Sequence, residues 1–456
     1  MTLGMRTDAR VRWLPIRRVV IATVLGISLG ILASVWGGTY WPWLVGAGAV
    51  ATTIALVGTR VLPGVLAWVA IQNTVLPYAF TRLSLPTRVW TYSLMLSELA
   101  TVLALLLWVP VMSRSRKVPQ LFFYLIAFFV CSALPIAMHE HGSSFALLNY
   151  FRQLAIPLLF GAAGYVYVFG HPDRVAILCR VVVWISVAGA VGAFVDKSLP
   201  TSFWTNFGLG NYWIVVKGLP LSYVRDGLPL NMFEVYGQSL IRRAISFYGD
   251  PLAAGYSMAI GMAALMWLWE RGEANLRTVS ILTLALVAGV ALTDTRAAYV
   301  EIGLLVTVPL LWNQSFRARV PRGWVIAVLT VLVGLGFTVI VQSLLGRNSS
   351  ISAHLASFSL IPEMIRHPLG INLSGAPEGL AFHVWWTSGL LGLASLALLV
   401  EKMGQWLLSS RQFVPFALLL GVAATSFISI EWLGDTSCGA GWALLGAATY
   451  LAELAT

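Results

Sequence analysis

The chain has 456 residues, of which 58% are hydrophobic and only 10% are charged, with a net charge of +11 at pH 7. Soluble domains have roughly a quarter of their residues charged, so this composition excludes one large soluble core and indicates an integral membrane protein. The excess Lys and Arg lie mostly in short segments between apolar runs, which is the usual bias of cytoplasmic loops and does not indicate nucleic-acid binding.

Apolar runs of about 20 residues, the length needed to cross the hydrocarbon core, recur along the whole chain. They are continuous rather than alternating, so they predict helices. The first run lacks a clear small-residue cleavage site and predicts a retained helix. We predict an all-α polytopic protein with about 12 to 14 transmembrane helices in one membrane domain, residues 1–456. The candidate spans are 19–36, 40–58, 61–80, 90–112, 118–138, 147–169, 174–195, 251–269, 277–293, 296–312, 323–342, 379–400, 412–430 and 439–454.

Basic segments between the spans set the predicted orientation. SRSRK (113–117) and NQSFRARVPRG (313–323) fall on the same side as the basic N-terminal arm, so that side is predicted to be cytoplasmic. One outer loop, TRLSLPTR (81–88), carries two arginines against this rule. Two long segments, 196–250 and 343–378, then lie on the periplasmic side, and their Gly, Pro, Asn and aromatic residues predict loops mixed with short interfacial helices.

Arginines on the predicted outer side need an explanation, because charges at a membrane boundary are expensive. Arg243 lies in IRRAISFYGDP just before a span, and Arg296 lies in the tight connection TDTRAAY. A guanidinium binds phosphate oxygens bidentately and keeps its charge, so converging arginines predict a site for a membrane-bound diphosphate such as a polyprenyl-diphosphate sugar. They would stabilise the pyrophosphate as it leaves. The predicted diphosphate ligands are Arg243, Arg296, Arg152 and Arg347.

Polar groups near these arginines are candidates for handling an incoming hydroxyl. His354 follows a Ser/Asn cluster and Glu378 precedes an apolar helix, and either could accept the proton of an attacking hydroxyl. A lone His beside an apolar helix is more often structural. No group of side chains has the spacing of metal ligands, so neither a metal nor another cofactor is predicted. Further substrate contacts are predicted at Lys217, Arg225, Arg242, Tyr248 and His383, although snorkelling to lipid headgroups explains Arg225 equally well.

Four stretches resemble motifs of the O-antigen polymerase and ligase superfamily of bacterial membrane glycosyltransferases. IRRAISFYGDPLAAGYS resembles the segment R-x-x-[GS]-[TF]-x-x-[DN]-P, with Arg243 and Pro251 matching. LTDTRAAY resembles the hairpin T-x-[ST]-R-[GA]-[AS], with Arg296 matching, and HPLGINLSG resembles the segment hPlGxGlg. PEGLAFHVWWTSGLLGL resembles E-x10-GLxGL, in which the matching residues are Glu378, Gly389 and Gly392.

The resemblance implies an all-helical, metal-independent enzyme in the bacterial inner membrane. It would transfer an oligosaccharide from undecaprenyl diphosphate on the periplasmic face, within the lipid bilayer, and chain-length regulators or flippases are candidate partners. Our leading hypothesis is a polysaccharide polymerase, whose acceptor is another lipid-linked repeat unit. A ligase that passes the glycan to lipid A-core or another acceptor stays open, because the diphosphate machinery is shared.

Two other classes fit the sequence less well. A transporter or flippase would favour charges within the spans and an internal repeat, whereas most spans here lack charge and no repeat is visible. A structural or assembly scaffold would have no need for converging outer arginines. Both therefore rank below the enzyme hypotheses.

Overall fold

The structure, a computed structural model, describes residues 61–83, 119–139, 144–215, 219–236, 239–314, 318, 357–371, 377 and 379–455. Within these residues six helices are long and apolar enough to cross a membrane. The chain is therefore a mostly helical, multi-pass membrane protein. The predicted spans 19–36, 40–58, 90–112 and 323–342 lie outside the described residues.

Each predicted span that falls on described residues forms a helix. Numbered in chain order, the helices are α1 (Leu62–Leu83), α2 (Gln120–His139), α3 (Ser144–Val168), α4 (Arg174–Ser198), α5 (Thr201–Asn206), α6 (Leu209–Val215), α7 (Pro251–Glu270), α8 (Leu276–Thr293), α9 (Arg296–Trp312), α10 (Ile361–Arg366), α11 (Leu380–Ser409), α12 (Phe413–Thr425) and α13 (Asp435–Ala455). Short 3-10 turns lie at Leu221–Tyr223, Leu230–Met232, Ser246–Tyr248 and Glu431–Leu433.

The segment between α4 and α7 contains β structure that the all-α prediction does not include. Strands β1 (Val224–Arg225) and β2 (Leu228–Pro229) form one antiparallel pair, and β3 (Phe233–Tyr236) and β4 (Ser239–Arg242) form another. Asp226 and Gly227, which join β1 to β2, have φ values of 50° and 76°. Positive φ at both central residues is the geometry of a two-residue hairpin turn, for which Asp-Gly is a preferred sequence.

Helix α7 forms the centre of the bundle, and nearly all of its length is buried against α4, α8, α9 and α13. Small residues make this close packing possible. A Cβ on Gly255 would lie 2.3 Å from the Cβ of Thr295, and one on Gly261 would lie 2.2 Å from the Cβ of Ser186. Lipid removes the hydrophobic drive between helices, so backbone approach through small residues is the expected source of helix association in a membrane.

A stripe of exposed apolar side chains runs the length of α2. Its members recur at the spacing of one helical face, which gives α2 an apolar outer surface. Such a face would be unfavourable in water and suits contact with lipid tails. The stripe consists of Phe123, Ile126, Val130, Leu134 and Met138.

The helix ends define two ends of the bundle. At one, which we call the loop end, α4 and α8 finish and α7, α9 and α11 begin, and the β hairpins lie there. At the opposite end, which we call the basic end, α4 and α8 begin and α7 and α11 finish. The described cations of the basic end are Arg174, Arg180, Arg271, Arg277, Lys402 and Arg411.

Helix α11 is broken at Gly389, where φ is 66° and ψ is −160°. The segment before α11 docks onto this break. The amide of Leu390 donates to the carbonyl oxygen of Pro368 at 2.9 Å, and the amide of Ile371 donates to the carbonyl oxygen of Trp386 at 2.7 Å. A Cβ on Gly370 would lie 2.4 Å from the carbonyl oxygen of Thr387. The HPLGI and GLLGL stretches, both noted in the sequence, therefore interlock.

Replacement of Gly389 by alanine should sharply lower stability. Its backbone conformation is essentially restricted to glycine, and a Cβ would stand 2.1 Å from the carbonyl oxygen of Pro368. The matched control is Gly404→Ala in the same helix, where the nearest atom to a new Cβ is a Phe416 ring carbon at 3.5 Å. Thermal unfolding in detergent should show a much lower unfolding temperature for Gly389→Ala and a wild-type unfolding temperature for Gly404→Ala. Equal stability of the two variants would contradict the interlock.

Candidate functional site

Arg243 lies at the loop end, and its guanidinium is surrounded by protein oxygens. Nε donates to the carbonyl oxygen of Thr293 at 2.7 Å, and Nη1 donates to that of Asn231 at 3.0 Å. Nη2 donates to the carbonyl oxygen of Asp294 at 3.0 Å and to Oγ1 of Thr295 at 3.3 Å. We call these five residues the Arg243 cluster. All three guanidinium nitrogens are thus occupied by the connection between α8 and α9 and by the turn before β3.

The electrostatics of the cluster are consistent with a buried cation. Burial lowers the pKa of Arg243, while the nearby carboxylates of Asp294, Asp250 and Glu234 raise it and Arg296 lowers it. An arginine keeps its proton under such conditions, because the ordinary pKa of its guanidinium lies far above neutral pH. The sequence predicts that this guanidinium binds diphosphate directly. In the structure all three nitrogens already bind protein oxygens, so a phosphate would have to displace existing bonds.

The residue positioned by the cluster is Arg296, the first residue of α9. The connection from Thr293 to Thr295, which Arg243 holds through two carbonyls and a hydroxyl, leads directly into it. Nη2 of Arg296 donates to Oε1 of Glu234 on β3 at 2.7 Å, and the two side chains are 21% and 18% exposed. Arg296 therefore reaches the surface of the loop end, where it meets a carboxylate. That carboxylate occupies a place that an oxygen anion of a ligand could take.

Arg242 forms a different contact from its neighbour. Nη1 donates to Oδ1 of Asp196 at 2.6 Å, and Nη2 donates to the carbonyl oxygens of Asp196 and Leu199 at 2.6 and 2.9 Å. Asp196 is fully buried near the end of α4, and it also accepts from the Trp204 indole and from the amides of Ile245 and Ser246. The predicted substrate contact at Arg242 is thus replaced by an internal ion pair that fastens the end of α4.

Tyr248 is the second predicted substrate contact that the structure places inside the protein. Its ring is fully buried, stacks on Phe247 with ring centroids 4.7 Å apart, and directs its hydroxyl towards the carbonyl oxygen of Ile185 at 3.5 Å. Burial raises the pKa of its hydroxyl well above the ordinary value. The tyrosine packs between α4 and α7 and does not reach a ligand at the surface.

Tyr150 on α3 brings the beginning of that helix against His383 on α11. The Tyr150 hydroxyl bonds to Oγ1 of Thr387 at 2.6 Å, and its ring lies beside the imidazole of His383 with centroids 5.4 Å apart. Arg152 follows on α3, half-buried, with Nε donating to Oδ1 of Asn149 at 3.2 Å. These contacts link the beginning of α3 to the beginning of α11, so this cluster also belongs to the loop end.

The protonation of His383 can be inferred from its contacts. Its Nδ1 lies 3.2 Å from the carbonyl oxygen of Pro377. A carbonyl oxygen only accepts, so Nδ1 carries the hydrogen and Nε2 has the lone pair. Nε2 is buried and has no hydrogen-bond partner among the described residues. The imidazole is therefore oriented by one nitrogen and offers an acceptor at the other.

The remaining predicted site residues are exposed or not described. Arg225 lies exposed on β1, at the tip of the first hairpin. Within the described residues there is no group of three His, Cys, Asp or Glu side chains that could hold a metal. Four predicted residues lie outside the described part of the chain, namely Lys217, Arg347, His354 and Glu378.

Sequence reasoning does not identify the carboxylates that pair with the arginines. Asp196 and Glu234 are separated from their partners by 46 and 62 residues, so no local spacing relates them. One signal in the sequence does mark Asp196, because it lies at the end of a span that otherwise lacks acids. Comparison with protein-family models, with curated proteins and with solved structures gives no match to the chain.

Arg242→Ala should destabilise the protein strongly. It would leave the buried Asp196 carboxylate without its cation, and breaking a buried pair in this way costs about 3–5 kcal/mol. Arg225→Ala, at an exposed position of the same outer segment, should be near neutral. Thermal unfolding and expression yield should therefore separate the two variants, and equal behaviour would mean that Asp196 is not held by Arg242.

Proposed function

We propose that the protein is a bacterial membrane glycosyltransferase that polymerises a surface polysaccharide, an O-antigen or exopolysaccharide. The donor would be glycan on undecaprenyl diphosphate, and the acceptor a lipid-linked repeat unit. One observation carries the proposal: stretches that resemble motifs of one superfamily, far apart in sequence, interlock at the same end of the bundle. Arg243 holds the connection that carries Arg296, and the segment at Pro368 docks onto the break at Gly389.

The proposed orientation places the loop end in the periplasm of the inner membrane. The described cations of the basic end lie outside the long apolar helices or near their ends, which is the charge bias of a cytoplasmic face. A lipid-linked donor on the outer leaflet would then present its diphosphate at the level where α7, α9 and α11 begin. That level also contains Arg296, Arg152 and His383.

Arg296 is the proposed ligand of the donor diphosphate. Its guanidinium already binds a carboxylate oxygen of Glu234, and a phosphate oxygen offers the same kind of acceptor with more charge. Binding would exchange Glu234 for the diphosphate. As the bond between the sugar and the diphosphate breaks, the leaving oxygen takes the electron pair, and a fixed guanidinium stabilises the growing negative charge. Arg243 contributes by holding the connection that positions Arg296.

His383 is the proposed group on the acceptor side. The hydroxyl of the acceptor sugar would attack the anomeric carbon of the donor and lose its proton, and Nε2 of His383 is a buried lone pair able to accept it. Arg152, two residues after Tyr150 on α3, would supply positive charge near the diphosphate. Glu378 and His354 keep their predicted roles as alternatives on the acceptor side.

A ligase would use the same donor machinery, so the two activities differ in the acceptor alone. Purified protein incubated with a lipid-linked repeat unit and no other acceptor should give a ladder of products on a gel. A single added unit that appears only after lipid A-core or another acceptor is supplied would identify a ligase. No transfer under either condition would refute the proposed function.

Arg296→Ala should reduce the rate of polymerisation by about tenfold to a hundredfold, because a charge-assisted bond to a desolvated phosphate contributes about 1.5–3 kcal/mol. Arg296→Lys should reduce the rate less than Arg296→Ala does but should stay below the wild-type rate, since lysine keeps the charge and loses the planar fork. Ladder intensity against time gives these rates. Wild-type rates in both variants would place the diphosphate elsewhere.

Glu234→Gln should strengthen donor binding, whereas Arg296→Ala should weaken it. It removes the carboxylate that competes for Arg296 and leaves the strand pairing of β3 intact. The KM for the lipid-linked donor should fall by a few-fold, as expected when a competing ion pair of order 1 kcal/mol is removed. Asp226→Asn, which neutralises an exposed carboxylate at the tip of the neighbouring hairpin, is the control and should leave KM unchanged. A raised KM in Glu234→Gln would show that the carboxylate assists binding.

The orientation has its own test in a cysteine-free background. A cysteine at exposed position 225 should react with an impermeant thiol reagent in intact spheroplasts, and one at exposed position 277 should react only after lysis. These positions belong to the loop end and the basic end respectively. The reverse labelling pattern would place the loop end in the cytoplasm and contradict the proposal.

A further inference from the structure

Glu301 is a fully buried carboxyl in the second turn of α9, below the loop end. It takes no part in the contacts of Arg243, Arg296 or His383 described above. Ionisable groups within membrane helices are costly and are kept only where they have a role. The surroundings of this carboxyl should therefore show how the protein accommodates it.

The two oxygens of Glu301 have different environments. Oε1 accepts from the indole Nε1 of Trp432 at 3.0 Å and lies 3.5 Å from Oγ1 of Thr425. The Thr425 hydroxyl donates to the carbonyl oxygen of Gly421 at 2.8 Å, so its proton is already used. Oε2 has no hydrogen-bond partner among the described residues. The Trp432 indole is also shared with Oγ1 of Thr425, at 3.0 Å, so the carboxyl receives one shared hydrogen bond, on one oxygen.

The described neighbours of Glu301 on the other elements carry no positive charge, and one acid, Glu431, adjoins Trp432 and interacts electrostatically with Cys438. Tyr256 on α7 is fully buried, packs its ring edge-to-face on Trp432, and has a hydroxyl without a partner among the described residues. Cys438 on α13 is buried and free. On α12, a Cβ at Gly421 would lie 3.0 Å from Cγ of Glu301, so this helix closes over the side chain. Within the described part of the chain, Glu301 forms no salt bridge with Lys, Arg or His.

An isolated carboxylate in such a place would be far more expensive than a neutral acid, because a buried charge needs a partner and several hydrogen bonds. We propose that Glu301 is a proton-binding site, a neutral carboxylic acid that accepts from Trp432 at Oε1 and carries its proton on the buried Oε2. The proton removes the charge and also makes Oε2 a donor.

The proton would hold two parts of the loop end together. Trp432 belongs to the connection between α12 and α13, residues 426–434, which also binds the beginning of α11. In that connection the carbonyl oxygen of Ser429 accepts from the Leu380 amide at 3.0 Å, and that of Ser426 accepts from the Ala381 amide at 2.8 Å. Glu301 therefore joins α9, which begins with Arg296, to the helix that carries His383. Loss of the proton would leave a negative charge where α9 contacts the connection between α12 and α13.

The most direct test is infrared difference spectroscopy of the purified full-length protein in detergent. The wild type at neutral pH should show the carbonyl stretch of an unionised carboxylic acid, and this component should be missing in Glu301→Gln. The amide keeps the shape and the acceptor for Trp432, so the variant should fold. Glu234→Gln, which alters an ion-paired carboxylate, is the matched control and should keep the band. Identical spectra for the wild type and Glu301→Gln would overturn the proposal.

The pH dependence of unfolding is a second test. It can be measured on the wild type alone, so it remains informative even if Glu301→Gln folds poorly. The folded state binds a proton that the unfolded chain releases, so raising the pH favours unfolding, by up to about tenfold in the unfolding equilibrium per pH unit. Glu301→Gln should lack this component. If sodium ions at constant pH stabilise the wild type and not Glu301→Gln, the carboxyl is an anion that holds a cation, and the proposal is wrong. Neither readout depends on glycosyl transfer.

Discussion

The loop end depends on one interaction, the set of hydrogen bonds that the Arg243 guanidinium donates to protein oxygens. A buried arginine must replace its lost water with acceptors, and here the acceptors are carbonyls of the connection between α8 and α9 and of Asn231. The backbone of the same segment adds two bonds, from the Arg243 amide to Met232 and from the Ala244 amide to Leu292. These bonds fix where α9 begins, and hence where Arg296 stands.

The adjacent arginines Arg242 and Arg243 bind different parts of the bundle, because their side chains leave opposite sides of an extended segment. Arg243 faces α8 and α9, whereas Arg242 faces the end of α4 and the buried Asp196. The amides of Ile245 and Ser246 bind the same carboxylate. Residues 242–246 thus fasten three membrane helices to the outer segment. The two adjacent arginines at the loop end therefore each have a structural task.

Much of the fold could be predicted from apolar runs, because a helix is the one way for a single segment to satisfy its backbone in lipid. The predicted spans at 251–269 and 296–312 differ from α7 and α9 by at most one residue at either end. The site was less predictable, because the presence of an arginine in the sequence does not reveal which oxygens accept its hydrogen bonds. Arg243, Arg242 and Arg296 look alike in sequence, and tertiary contacts alone distinguish two structural cations from one near the surface.

Other features were encoded but easy to overlook. The Asp226–Gly227 pair is a hairpin signal in a segment expected to be loop and short helix, and Gly389 breaks a run that reads as continuous helix. The sequence predicts a substrate contact at Tyr248, but its ring packs inside because Gly189 on α4 leaves room for it. The fate of an aromatic residue at the edge of a bundle depends on the facing helix, which the local sequence does not reveal.

The central claim is that Arg243 serves the site by fixing the connection that carries Arg296. Hydrogen–deuterium exchange of the purified protein over residues 290–298 tests this claim most directly. Arg243→Lys should speed exchange there, because lysine cannot reproduce the planar fork that reaches Asn231, Thr293 and Asp294 at once. Arg296→Ala should leave exchange at the wild-type rate. Unchanged protection in Arg243→Lys would contradict the account.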